Sequence, residues 1–143
     1  MNKPCLIVVA FALSASSVSA KTIAVAPGPN VQEALQIALI DAQPGDVVQL
    51  AAGRYVLTDG LSLAVDRVTV RGAGPDKTVL DFKGQKAAGE GLLVTSDDVV
   101  LRGFAVEDAK GDAIKSKGAD RIVYHDLRVE WTGGPKETNG AYG

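Results

Sequence analysis

Three stretches of the chain repeat one another closely enough to limit what it can fold into. They are "DRVTVRG" (66–72), "DVVLRGFAVED" (98–108) and "DRIVYHDLRVEW" (120–131). Val68, Val99 and Ile122 fall in one column, and Val70, Leu101 and Tyr124 in the next but one. Arg71, Arg102 and His125 share a column, followed by Gly72, Gly103 and Asp126. Phe104 then matches Leu127, Val106 matches Val129 and Glu107 matches Glu130, at an offset of 23 residues. An earlier partial copy, "GDVVQLAAGRY" (45–55), alternates in the same way. "GEGLL" (89–93) matches "GDAIK" (111–115). Apolar residues at a period of two mark strands. Short strands recurring every twenty-odd residues, with no helix between copies, mark stacked parallel strands.

Within the last copy the alternation points Ile122, Tyr124, Leu127 and Val129 inward, and Val123, Arg128 and Glu130 outward. His125 and Asp126 then form a turn between two short strands. Position 126 needs a left-handed backbone, which Gly takes freely and Asp tolerates. The copies at 68 and 99 are 31 residues apart. The segment "PDKTVLDFKGQKAAG" (75–89) supplies the extra length as a strand, "TVLDF", and an enlarged loop.

One segment is helical. In "VQEALQIALIDAQ", Val31, Ala34, Leu35, Ala38 and Leu39 lie on one face. Asn30 is the expected N-cap, with Glu33 as the return half of a capping box. Pro44-Gly45 ends the element. Its apolar face suits it to cover the open end of a strand stack, which would otherwise expose core and unpaired backbone.

The first twenty residues read as a leader. Lys3 precedes an apolar run from Cys5 to Leu13, and small residues end in Val18-Ser19-Ala20. This is the secretory pattern, with cleavage expected after Ala20. The run is too short to span a bilayer. Cys5 is the sole cysteine, so the mature chain forms no disulfide and no thiolate metal site. Without Lys3, 14 basic side chains face 17 acidic ones. That balance argues against a nucleic-acid partner. The expected divisions are a signal peptide (1–20), an N-terminal strand and capping helix (21–44), and incomplete repeats (45–143). The chain stops at "NGAYG" (139–143), where another repeat would begin. The expectation is a C-terminal end cut short, with an uncapped edge open to self-association.

"GDVVQLAAGRY" after an amphipathic helix resembles the opening of pectin-lyase-like right-handed β-helix proteins. The stretch "GDAIKSKGADRIVYHDLRVEWTGGPKETNGAYG" (111–143) resembles a group of bacterial exported parallel β-helix repeat proteins. The likeness covers about 31–143. It implies an all-β, right-handed parallel β-helix with the capping helix at its N-terminal end. It also implies an exported protein, periplasmic or extracellular, associated with acidic polysaccharide by binding or processing. The superfamily holds polyuronate lyases, C5-epimerases, glycoside hydrolases and proteins with no known activity, so the likeness fixes no reaction. The Asp-Pro-His motif of the epimerases does not occur here. A lyase or epimerase whose active site lies beyond residue 143 is the alternative.

Candidate site residues cluster in the last two copies. Glu107 and Glu130 share a column, so their carboxylates would lie one strand apart and repel unless a cation or proton sits between them. With Asp108 they are candidate ligands for Ca²⁺. As a pair they are candidate acid and base. His125 is the third catalytic candidate, against the plainer reading of a solvated turn residue. Trp131 and Arg128 are candidate substrate contacts, Trp131 as a sugar platform or as an aromatic closing the edge. No other cofactor is implied.

Overall fold

The computed structural model describes residues 19–87 and 89–134. All of the leader but Ser19 and Ala20 lies outside them, as does the 135–143 tail. Among the described residues the chain forms one helix and ten strands. These are β1 (Thr22–Val25), α1 (Val31–Asp41), β2 (Val47–Leu50), β3 (Gly53–Val56), β4 (Leu61–Leu63) and β5 (Thr69–Arg71). They continue with β6 (Thr78–Asp81), β7 (Leu92–Val94), β8 (Val100–Glu107), β9 (Ile114–Ser116) and β10 (Val123–Glu130). All strand pairs are parallel. One sheet runs β1-β2-β5-β8-β6-β3 with β10 also on β8; the other runs β4-β7-β9.

The expected all-β right-handed β-helix is therefore corrected. The fold is a mixed α/β one, with two parallel sheets and a helix, and it is not a closed solenoid. The pectin-lyase-like architecture goes with it. Two physical reasons account for the difference. The alignment treats Arg102-Gly103 and His125-Asp126 as turns between separate short strands. The chain instead runs through both steps, with one left-handed residue in each, Gly103 at φ 71° and Asp126 at φ 52°. Strand β8 thus pairs with β5 through its first half and β6 through its second, joining their ladders into one sheet. The helix, for its part, belongs to the core: Val31, Leu35, Ala38 and Leu39 are buried in the same cluster as Leu50, Leu80 and Leu101.

The register matches the repeat columns. Leu127 pairs with Phe104, Val129 with Val106 and Glu130 with Glu107. Leu92 pairs with Ile114, and Val70 with Leu101. A row of aspartates sets this register where strands begin. Asp66 accepts the Asp97 N–H at 2.8 Å, and Asp97 accepts the Asp120 N–H at 2.8 Å. The residues that follow, Arg67, Asp98 and Arg121, are all left-handed. At Gly72 a Cβ would collide with the Gly103 carbonyl oxygen, so the strand steps can stack there only without a side chain.

Helix α1 packs on β1, β3 and β4, the terminal strands of the two sheets. Two glutamines one turn apart satisfy backbone groups at that end. Gln32 Oε1 accepts the Thr58 and Asp59 N–H groups. Gln36 accepts the Ser62 N–H and donates to the Ser62 carbonyl. The cap on the helix itself differs from expectation, since the Asn30 side chain makes no capping bond. The Val31 N–H goes to the Gly28 carbonyl instead, at 3.2 Å. Tyr55 is fully buried, its hydroxyl held between the Val25 and Ala51 carbonyls. Burial pushes its pKa up to about 12. The 75–89 segment holds β6 as expected. Gln85 anchors its loop by donating to the Glu90 carbonyl and accepting the Lys110 N–H.

Tyr124 and Val129 keep the inward direction, in register with the buried Leu101 and Val106, but that face is not covered in the last copy. Tyr124 is 50% exposed and Val129 40%. Strand β10 pairs only with β8 among the described residues, so its residues keep the register without the cover. No helix among the described residues is long and apolar enough to cross a membrane.

Candidate functional site

Parallel pairing in register turns each sequence column into a row of side chains about 4.8 Å apart. Charge on the outer face of the seven-stranded sheet falls in two regions. The first contains Asp81, Glu107 and Glu130, in register on β6, β8 and β10. Two positions earlier along the strands lies the row Arg54, Val79, Ala105 and Arg128. Val79 and Ala105 are buried yet lie outside the core cluster that holds Leu80 and Val106, as the alternation of a strand requires.

The arginines and carboxylates interleave. Arg54 Nη1 donates to Asp81 Oδ2 at 2.9 Å and to Glu107 Oε2 at 2.8 Å. Arg128 Nη1 donates to Glu107 Oε1 at 3.0 Å and also to Glu130 Oε2. Arg128 Nη2 reaches the Pro75 carbonyl at 3.2 Å, and its Nε lies 3.5 Å from Asp76. The Glu107 side chain is only 5% exposed, so its charge is tolerated because both oxygens meet a guanidinium. Hydrogen bonds to Glu107 and then Asp81 raise the Arg54 pKa. Burial opposes the same shift at Arg128, and Glu107 and Glu130 outweigh it.

The stacked pair expected at Glu107 and Glu130 is thus present, and the cation between them is Arg128. Glu107 faces outward as expected but is covered by Arg54 and Arg128 instead of free. Asp108 does not join them. Left-handed at φ 56°, it turns its carboxylate to the Thr132 N–H at 2.8 Å and hydroxyl at 2.7 Å. Among the described residues no group of three or more acidic, histidine or cysteine side chains is placed to hold a metal ion. Trp131 is half-buried against the core, its indole N–H donating to the Ala109 carbonyl at 2.8 Å. That arrangement closes an edge rather than offering a free platform.

The second row holds Gln49, Arg71, Arg102 and His125, in register on β2, β5, β8 and β10. Gln49 lies against Arg71, accepting from its Nε at 2.6 Å and donating to its carbonyl at 2.9 Å. Arg71, Arg102 and His125 are exposed. Among the described residues no carboxylate forms an ion pair with any of the three. His125 is therefore the end of a basic row, and among the described residues no acid orients it as a catalytic base would need. Arg71 and Arg102 are site candidates that sequence reasoning missed. Their shared column was visible, but reading it as turns hid its continuous charge. Arg54 was missed because its column joins the first copy to the last only through Val79 and Ala105.

No family model matches the chain, and neither a curated protein nor a solved structure matches it. The rows above therefore carry the functional reading by themselves.

Proposed function

We propose that the chain is an exported scaffold that binds acidic polysaccharide across the strands of its larger sheet, through Arg71, Arg102 and His125. The observation that carries this reading is the contrast in pairing between the two rows. Like charges directly opposite on neighbouring strands are unfavourable, and the acidic row relieves its repulsion with Arg54 and Arg128. Arg71 and Arg102 stand opposite each other with no acidic partner among the described residues. An anion repeated along a polymer would neutralise both at once, and Arg is the side chain best suited to grip a carboxylate. A binding role fits the acidic row too. Its carboxylates already hold guanidiniums, which stabilises the face instead of supplying a free base.

The test is titration of the full chain with polygalacturonate, alginate and a neutral glucan. Binding to both polyuronates, weakened by salt and reduced about tenfold or more in R71Q/R102Q, is the expected result. Equal binding to the neutral glucan, or no effect of the double substitution, overturns the reading. Incubation with the same polyuronates, with and without Ca²⁺, addresses the lyase or epimerase alternative. Unsaturated product, or a changed uronate composition, would favour it over the scaffold.

A further inference from the structure

Asp46 is the least exposed acidic residue among the described residues, and it takes no part in the charged rows. It is 1% exposed and sits just before β2. Its Oδ1 accepts the backbone N–H of Lys21 at 2.9 Å, and its Oδ2 accepts the Gln43 N–H at 2.8 Å. Lys21 is fixed from its other side as well, because its carbonyl accepts the Val47 N–H at 2.9 Å. The residue that leads β1 into the sheet is thus held by its own backbone nitrogen on a buried carboxylate. That nitrogen belongs to the Ala20–Lys21 peptide, the bond the leader pattern marks for cleavage. Ser19, Ala20 and Lys21 are all exposed.

We infer that Asp46 is the seat of the processed N-terminus, and that cleavage after Ala20 adds a full positive charge to the donor of the hydrogen bond there, turning it into an ion pair that locks β1 to the fold. Hydrolysis of the peptide adds one water. The carbonyl carbon of Ala20 becomes a carboxylate that leaves with the leader, and the nitrogen of Lys21 becomes an α-ammonium in place beside Asp46 Oδ1. The bond to the ionised Asp46 is charge-assisted already, and a positive charge on its donor adds a direct attraction between opposite charges. The chain before processing therefore holds β1 less firmly than the mature chain does. The fold tightens once the leader is gone, which suits a protein that must cross a membrane before folding fully. The inference rests on the reading of an exported chain, and does not depend on what the chain binds.

The sign of the pH dependence follows. The α-ammonium gains a partner on folding, so its folded pKa lies above the unfolded value of about 7.7–8.0. The added stability is present below that value and is lost as pH rises through the folded pKa. Other charges around the seat are few. Lys21 Nζ lies 4.0 Å from Asp46 Oδ2. Asp41 of α1 lines a cleft with Lys21. Arg67, before β5, accepts the Gly45 N–H with its carbonyl. An α-amino group ordinarily titrates across about pH 7–9.

Thermal melting of three chains tests this: one beginning at Lys21, one beginning at Ser19, and the Lys21 chain acetylated at its α-nitrogen. The Lys21 chain is expected to melt about 3–6 °C above the other two at pH 7, with the gap closing by about pH 10. D46N is expected to remove the gap between the Lys21 and Ser19 chains. Should D46N fail to fold, the acetylated chain still decides. Equal melting of all three across this range, or a more stable Ser19 chain, overturns the inference. Intact mass of the exported protein gives an independent check. A mature chain starting anywhere but Lys21 overturns the processing step, whatever the polysaccharide titration shows.

Discussion

Strands β8 and β10 are copies in sequence and partners in register, yet one is buried and the other is not. Phe104 and Val106 are at most 1% exposed, whereas their partners Leu127 and Val129 are half-buried and 40% exposed. Glu107 is buried between two arginines, and its partner Glu130 is exposed. The difference lies in their neighbours. β8 has β5 and β6 on one side and β10 on the other, and β10 has β8 alone among the described residues. A pattern of alternation tells which face a side chain takes. The strands on either side decide whether that face is dry.

The sharpest way to break the comparison is to cut matched side chains. Phe104→Ala should cost about 3–5 kcal/mol, and Leu127→Ala about 1–2 kcal/mol because less area leaves water. Urea unfolding measures both, and equal losses would mean β10 is covered in solution. Matched charge removals come next. Glu107→Gln should cost about 1–3 kcal/mol, since Arg54 and Arg128 both lose their shared carboxylate. Glu130→Gln should change stability by no more than about 0.5 kcal/mol, and a larger loss would show that Arg128 depends on Glu130 instead.

The smallest effect is on the link between the two strands. Hydrogen bonding from Arg121, just before β10, holds the Asp98 carboxyl below the usual carboxylate range. A lowered folded pKa gives stability that is present above about pH 4 and is lost as pH falls through the folded value. Hydrogen exchange near pH 3 should therefore quicken in β10 before β8, and Arg121→Gln should remove that pH sensitivity. Uniform quickening of both strands would show that the pair does not tie β10 down.

The same contrast explains what was legible beforehand. Phe104/Leu127 and Glu107/Glu130 were aligned correctly because side-chain period and repeat length are local properties. Strand β6 and the buried face of α1 were legible for the same reason. The exposure of Tyr124 and the burial of Glu107 were not, since each depends on groups far off in sequence. Arg54 reaches Glu107 across 53 residues, and Arg128 reaches Pro75 across the same interval.

By itself the sequence determined the register of the aligned copies, the apolar face of the helix and the shared columns of Glu107 with Glu130 and of Arg71, Arg102 and His125. Periodicity and turn chemistry act over a few residues and need no knowledge of the whole. Only the tertiary structure decided that β8 and β10 run unbroken and join two ladders into one sheet, that α1 belongs to the core, and that one row of charges is paired while the other is not. Those outcomes depend on which distant segments share a surface, because desolvation and ion pairing act between spatial neighbours, however far apart they lie along the chain.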